Sequence, residues 1–396
     1  MYNIRAFRIA GSRLFCAALA AALLALMCGC GETDGDDLSE QTLSQFSITS
    51  EAQEQCVAED ILPDGIQDSA RAAIVWCADN SRILYGHNIH EKRPIASITK
   101  IMTALICLEY AAADNKAVRI TPEMYAEGSS MYLKAGEIIS LRELVKGMMA
   151  VSGNDAANAA ASAVAGSNEK FAALMNRRAK QLGMNNTHFT TPSGLDMGEH
   201  YSTAYDMALL CAYAMENETF RSIVGKRNIT AEFISPEGKT QQLCNHNKLL
   251  SICSGCIGIK TGFTKKAGRT LTSCAEREGI RLIIVTLCDG NDWDDHCSLY
   301  DSCFSRLEKI RLCGRETKIS IPLAGGKENE KQIVLVPERE LFAVAEKNSR
   351  NETEKPEQVI YAPAFIYSPA VRGRKYGRIE YLINGKTAAS CALVPQ

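Results

Sequence analysis

A serine standing three residues before a lysine, at the head of a strongly apolar stretch, could do chemistry: Ser97-Ile98-Thr99-Lys100. A serine hydroxyl is a poor nucleophile until a neighbouring base takes its proton. If Ser97 opens a helix, Lys100 comes round one turn later to the same face, within reach of the hydroxyl. Ser97 to Ala113 is apolar nearly all round, with Ile101, Leu105 and Leu108 flanked by Met102 and Ile106, which predicts a buried helix. Burial disfavours an ammonium, and a second cation close by disfavours it further, so a lysine there can serve as a neutral base near pH 7. The amides at the helix N-terminus would stabilise negative charge at Ser97. The chain has no G-x-S-x-G elbow, so a hydrolase triad built on His lacks its anchor.

Two further clusters could complete such a site. Ser152-Gly153-Asn154 fits a turn between two helices, where short polar side chains can relay a proton and bind an amide. Lys260-Thr261-Gly262 reads as part of a strand far along the chain; Lys260 could be the second cation and could hold a carboxylate. Singly, two of these patterns are weak, because Ser167 to Lys170 repeats the first and Ser349 to Asn351 the second. Context separates them. Ser167 opens a helix carrying Lys170, Arg177, Arg178 and Lys180, a solvated basic face on which the serine is an N-cap. The bland alternative for all three clusters is a capping serine, a polar turn and an unrelated surface lysine.

The elements that must position these residues can be read in outline. Ala70 to Asn88 predicts two strands around Asp79-Asn80-Ser81. Ser140 with Glu143 is a capping box opening Leu141 to Ala150, and Thr203 with Asp206 opens Ala204 to Met215. Asn154 to Ala165 and Ser167 to Leu182 read as helices stopped by Gly166 and Gly183, and Arg269 to Leu287 as a hairpin turning at Glu278-Gly279. From about Leu312 helix signals vanish; Lys331 to Pro337, Leu341 to Glu346, Gln358 to Ala364 and Arg378 to Val394 predict short strands, the last a hairpin at Asn384-Gly385. Strands, a helical block and more strands imply a sheet of sequence-distant strands flanked by helices.

In order and context, the three clusters match the S-x-x-K, S-x-N and K-T-G elements of the penicillin-binding and serine β-lactamase group. The wider stretches Pro94 to Glu109, Met131 to Gly136, Thr191 to Leu195, Ser202 to Asp206, Asn247 to Leu250 and Gly258 to Gly268 resemble the low-molecular-weight penicillin-binding carboxypeptidases, peptidase family S11. The resemblance covers roughly Ile61 to Arg311, and Tyr367 to Val394 resembles the family's small C-terminal β domain. It implies an α+β transpeptidase-like fold, an antiparallel sheet flanked by helices, and a serine-type D-alanyl-D-alanine carboxypeptidase acting on peptidoglycan stem peptides and inhibited by β-lactams. Ser97 would be acylated, Lys100 would be the general base and Ser152 would shuttle a proton to the leaving amine. Asn154 would bind the substrate backbone, Lys260 and Thr261 its carboxylate, and Gly262 would allow close approach of the strand. The amides of Ser97 and Phe263 would form the oxyanion hole. No metal or organic cofactor is implied. Some members carry a basic residue after the strand ending near Leu287; here Gly290 to His296 is mostly acidic, leaving open which residue assists Lys260. A β-lactamase, an endopeptidase or transpeptidase, and a non-catalytic muropeptide receptor are alternatives on the same scaffold. The E-x-x-L-N pattern of class A β-lactamases is absent between Asn154 and Lys260.

The N-terminus suggests where the chain goes. Arg5, Arg8 and Arg13 precede an uncharged apolar run from Leu14 to Gly29, 16 residues long, short of the roughly 20 that a membrane-spanning helix needs. It reads as a secretory signal. Small Gly29 before Cys30 resembles a lipoprotein cleavage site, with plain signal cleavage or an uncleaved anchor as alternatives. The expected organisation is a signal over 1–29, an acidic tether over 30–55, a catalytic domain over 56–311 and a small β domain over 312–396. The protein would then act at the outer face of the cytoplasmic membrane or in the wall space. Of 16 cysteines, setting aside Cys16, Cys28 and Cys30 leaves an odd number, scattered through apolar segments, which favours buried free thiols. Cys253-Ser254-Gly255-Cys256 leaves open a local disulfide or two ordinary cysteines and gives little for a metal. His87 and His90 lack a metal-binding motif, and Trp293 reads as a helix-start residue rather than a cleft wall. A net charge of −2 gives no electrostatic case for nucleic acid as a partner.

Overall fold

A computed structural model describes residues 68–326, 331–347, 356–383 and 385–396. The expected signal segment, Cys30 and the tether lie outside the described residues, as do the serine repeat at Ser349 and the turn residue Asn384. Three largely buried strands form the middle of a five-stranded antiparallel sheet: β1 (Ala72–Cys77), β8 (Gly268–Arg277) and β9 (Ile280–Leu287). Strands buried on both faces need cover on both sides. With β2 (Arg82–His87) and β7 (Cys256–Thr264), the order is β2-β1-β9-β8-β7, which leaves β7, the strand of Lys260, at an edge.

One face of this sheet packs on the helical block. A 3₁₀ turn, Ala96–Thr99, leads into α1 (Lys100–Ala113), whose first turn and inner residues are buried, as expected for a helix apolar nearly all round. By length and composition Ala96–Ala113 could cross a membrane, but 72% of it is buried inside the protein, the mark of a core helix. Around it lie α2 (Leu141–Ala150), α3 (Asn154–Ala165), α4 (Asn168–Gln181), α5 (Ala204–Glu216) and α6 (Glu218–Val224). A short helix, α7 (Leu249–Ile252), precedes β7, and α8 (Asp292–Arg306) covers the opposite face of the sheet through Leu299, Tyr300, Cys303 and Phe304. A smaller sheet, β3 (Ala117–Arg119), β4 (Ile138–Ser140), β5 (Asn228–Ser235) and β6 (Thr240–Cys244), flanks the helices.

The C-terminal part is a separate sheet domain. β10 (Leu307–Cys313) pairs with β13 (Leu341–Glu346). A six-stranded sheet runs β14-β16-β17-β12-β11-β15, formed by Glu357–Tyr361, Gly377–Ile383, Lys386–Pro395, Gln332–Pro337, Ile319–Ala324 and Ile366–Tyr367. It has its own core around Ile321, Leu335, Ile379 and Leu393.

Three local expectations need correction. α2 spans the expected residues, but Ser140 makes no capping hydrogen bond; the Glu143 carboxylate goes to Lys146 Nζ at 2.7 Å and to the amide of Glu232 at 2.8 Å instead. At α5, Thr203 does cap the amide of Asp206 at 3.0 Å, yet Asp206 does not reach back. It accepts from the Asn186 amide and the Thr187 hydroxyl, tying the helix to the preceding loop. Ser167 caps α4 through the Lys170 amide at 3.2 Å, as expected, but Arg178 is not on a solvated face: it is buried and pairs with Glu109 and the Tyr213 hydroxyl, because that side of the helix packs on the block. The described cysteines are free thiols, Cys253 and Cys256 included. Burial raises Cys256 to about 12, which keeps it protonated and unreactive.

Candidate active site

The 3₁₀ turn delivers Ser97 to the edge of the sheet, and the start of α1 places Lys100 beneath it. Lys100 Nζ is 3.0 Å from Ser97 Oγ and also donates to Asn154 Oδ1 at 2.7 Å and to the Ser193 carbonyl at 2.6 Å. The lysine is fully buried, with three oxygens around its amine. Burial first, and then the charge of Lys260, hold its ammonium well below the ordinary lysine value, while Asp155 pulls the other way. A neutral Lys100 amine hydrogen-bonded to a serine hydroxyl can take that proton.

The loop that supplies the third oxygen is fixed by close approach. Gly194 has φ +83, and a Cβ there would lie 2.0 Å from the Ala96 carbonyl oxygen. Thr103 Oγ1 donates to the Pro192 carbonyl at 2.6 Å, and Thr99 Oγ1 meets His200 Nε2 at 2.7 Å. Burial lowers His200 to about 4, so it stays neutral and acts as a strut.

The Ser152–Asn154 turn joins α2 to α3. Asn154 is pinned at both ends of its amide, with Oδ1 toward Lys100 and Nδ2 donating to the Glu127 carbonyl at 2.6 Å. Ser152 is 5% exposed and sits at φ 58, a left-handed conformation rarely adopted by a serine. Its hydroxyl makes no hydrogen bond to any described residue.

From the sheet side comes β7. A Cβ on Gly262 would lie 2.4 Å from Thr270 Oγ1 and 3.0 Å from the Ser97 amide nitrogen, so only glycine lets the strand come this close to the serine. Lys260 is buried, donates to the Thr261 carbonyl at 2.9 Å, and is brought down by burial to about 7. Phe263 follows on the open edge of the sheet, its ring 66% exposed. The structure thus brings Ser97, Lys100, Asn154, Lys260 and Gly262 together through contacts or charge. Ser152, Thr261 and Phe263 are placed there by their neighbours in the chain.

Two parts of the site were not legible as residue types. The Ser193 carbonyl is backbone. Asp155, next to the recognised Asn154, braces the adjoining loop by accepting from Ser130 Oγ and from the amides of Met131 and Leu133. The acidic stretch after β9 is structural: it forms the start of α8, where acidic residues suit the helix N-terminus. There Asp292 holds Arg269 by an ion pair of 2.5 Å, and Arg269 lies 5.3 Å from the Trp293 ring centre. His296 is buried between Ser273 and Thr286. His87 pairs with Asp68, and the His90 ring lies against Tyr205. No metal-binding group of His, Cys, Asp and Glu occurs among the described residues.

A buried lysine beside a helix-opening serine, facing a Lys-Thr-Gly edge strand, is an arrangement suited to acyl transfer by a serine, set on an antiparallel sheet covered by helices. Comparison with known proteins agrees. The profile of the D-alanyl-D-alanine carboxypeptidase family, Peptidase_S11, matches residues 57–291, and the chain belongs to that family. It is 30% identical over 333 residues to the D-alanyl-D-alanine carboxypeptidase DacF of Bacillus subtilis, covering 81% of this chain and 83% of that one. Among solved structures, the D-alanyl-D-alanine carboxypeptidase DacD of Francisella tularensis superposes with a TM-score of 0.62 at 27% identity, covering 89% of this chain and 98% of that one. Penicillin-binding protein 5 of Haemophilus influenzae gives 0.66 at 25% identity, covering 85% and 98%.

Proposed function

We propose that this protein is a serine-type D-alanyl-D-alanine carboxypeptidase that removes the terminal D-alanine from peptidoglycan stem peptides and is acylated by β-lactams. The observation that carries this reading is the fully buried Lys100, its amine 3.0 Å from Ser97 Oγ and its pKa depressed by burial and by Lys260. Ser97 Oγ attacks the carbonyl carbon of the penultimate D-alanine as Lys100 takes the hydroxyl proton. The amides of Ser97 and Phe263 receive the oxyanion, an interaction worth about 3–4 kcal/mol per donor in such sites. Asn154 holds the peptide backbone, and Lys260 with Thr261 holds the terminal carboxylate. As the tetrahedral centre collapses, Ser152 passes a proton to the departing amine. Water, activated by Lys100, then cleaves the ester and frees Ser97. A β-lactam enters the same sequence through its strained amide.

We assign 56–311 to this catalytic unit and 312–396 to the small β domain. Export by the segment 1–29 and lipid attachment at Cys30 would place the site at the outer face of the membrane. The test is D-alanine release from a peptide ending in D-Ala-D-Ala. Wild type should release it and Ser97→Ala should not; a folded wild type that releases none overturns the assignment.

A further inference from the structure

Tyr132 combines two features that oppose each other in an ordinary surface residue. Its backbone has φ 60, in the left-handed region, which a bulky residue occupies only when its surroundings enforce it. Yet its side chain is 79% exposed, so packing of the ring does not do the enforcing. The loop does. The buried Asp155 carboxylate accepts from Ser130 Oγ at 2.7 Å, from the Met131 amide at 2.8 Å and from the Leu133 amide at 3.1 Å. Ser130 Oγ in turn accepts from the Tyr132 amide at 2.8 Å, and Gln241 Nε2 donates to the Met131 carbonyl at 2.8 Å. Met131 and Leu133 are both buried, so the tyrosine between them is thrust outward.

The loop it projects from borders the active site. Ser129 O accepts from the Asn154 amide at 2.8 Å, Glu127 O accepts from Asn154 Nδ2, and a Cβ on Gly153 would lie 3.0 Å from the Met131 nitrogen. Tyr132 therefore stands beside the Ser152–Asn154 turn, on the helical side of Ser97, while exposed Phe263 stands on the sheet side. A solvent-facing aromatic side chain on a fixed backbone beside a cleft offers a large apolar surface, with only two side-chain torsions to order on binding.

Resting on the carboxypeptidase reading, we propose that Tyr132 forms a subsite for the residue that precedes the D-alanine pair, taking a long aliphatic side chain against its ring. With Ser97 at the penultimate carbonyl and the terminal carboxylate at Lys260, the acyl part of the peptide runs the other way, past Asn154 and toward Tyr132.

The test compares two peptides, Nα,Nε-diacetyl-L-Lys-D-Ala-D-Ala and acetyl-Gly-D-Ala-D-Ala, in full-length wild type, Tyr132→Gly and Tyr132→Phe. Glycine suits a positive φ, so Tyr132→Gly should fold as well as wild type, checked by its melting temperature. In Tyr132→Gly the ratio of kcat/KM for the lysyl peptide to that for the glycyl peptide should fall about tenfold, carried mainly by KM; Tyr132→Phe should keep the wild-type ratio. An unchanged ratio in Tyr132→Gly would overturn the subsite while leaving the carboxypeptidase reading intact. Release from neither peptide by wild type would overturn that reading and the subsite with it.

Discussion

Lys260 is asked to be a cation for the substrate carboxylate, yet burial brings it down to about 7. The two demands give a definite pH profile. In the free enzyme about half of the molecules carry the Lys260 ammonium at pH 7, and about a tenth at pH 8. kcat/KM, which reports free enzyme, should therefore fall about fivefold from pH 7 to pH 8 and about tenfold per pH unit beyond. Once the substrate carboxylate is bound, an opposite charge within hydrogen-bonding distance raises the lysine by about 1–3 units. The descending limb of kcat should accordingly move up to about pH 8–10. Lys260→Arg keeps a fixed positive charge, so its descending limb should vanish, although the forked guanidinium fits a lysine site badly and lowers the rate throughout. The assay is steady-state D-alanine release across pH 5.5–10 at low and saturating peptide. A kcat/KM that stays flat or rises from pH 7 to 9 would refute the charged-Lys260 account.

Other consequences follow from the same geometry. Gly262→Ala should lower the acylation rate by about 10²–10³ in a penicillin-labelling time course, because the added methyl collides with Thr270 Oγ1 and crowds the Ser97 amide. Asp155→Asn should destabilise the fold by about 2 kcal/mol in urea titration, by leaving buried amides of the 130–133 loop without an anionic acceptor. It should also shift the ascending limb of the pH profile to lower pH, since Asp155 raises Lys100. His200 and His296 are held at about 4 and about 3 in the folded state, whereas both take protons near 6.5 when unfolded. The unfolded state then binds more protons as the pH falls below 6.5, so stability is lost in that direction. Between pH 7 and pH 5 the loss should be about 2 kcal/mol for each histidine, and His296→Gln should flatten the slope in pH-dependent denaturation.

Much of the fold was legible because local signals were strong and agreed with one another. The Ala-rich segment 154–165 ends where Gly166 takes a left-handed φ of 80, and β1–β2 and β8–β9 turn where Asp79-Asn80-Ser81 and Glu278-Gly279 said they would. The site was legible because Ser97 and Lys100 share one helical turn, and that spacing is fixed by helix geometry alone. What stayed hidden depends on tertiary partners. Glu143 had two better partners than its own helix end, Lys146 and the Glu232 amide, so the capping box did not form. The hairpin β5–β6 and the strand Leu307–Cys313 were not read from the sequence, although β5 alternates buried and exposed residues along Asn228–Ser235. The Ser193 carbonyl is a group that every residue possesses, and only the fold aims it at Lys100.

Several locally unfavourable features gather in and around the site that holds Ser97. Lys100 and Lys260 are buried, and Ala96, Ser152 and Tyr132 all sit at positive φ. Each would be disfavoured in an ordinary core or turn. They persist because rigid neighbours hold them: β7 is registered on β8 from Cys256 to Thr264, Asp155 locks the loop, and the Gly194 turn clamps Ala96. Such a site is expected to trade stability for chemistry. Lys260→Met removes the buried cation and keeps the volume; by that reasoning it should make the protein more stable than wild type while abolishing D-alanine release. A Lys260→Met protein less stable than wild type would mean that the lysine is there to hold the fold, and the division of labour between scaffold and site would have to be redrawn.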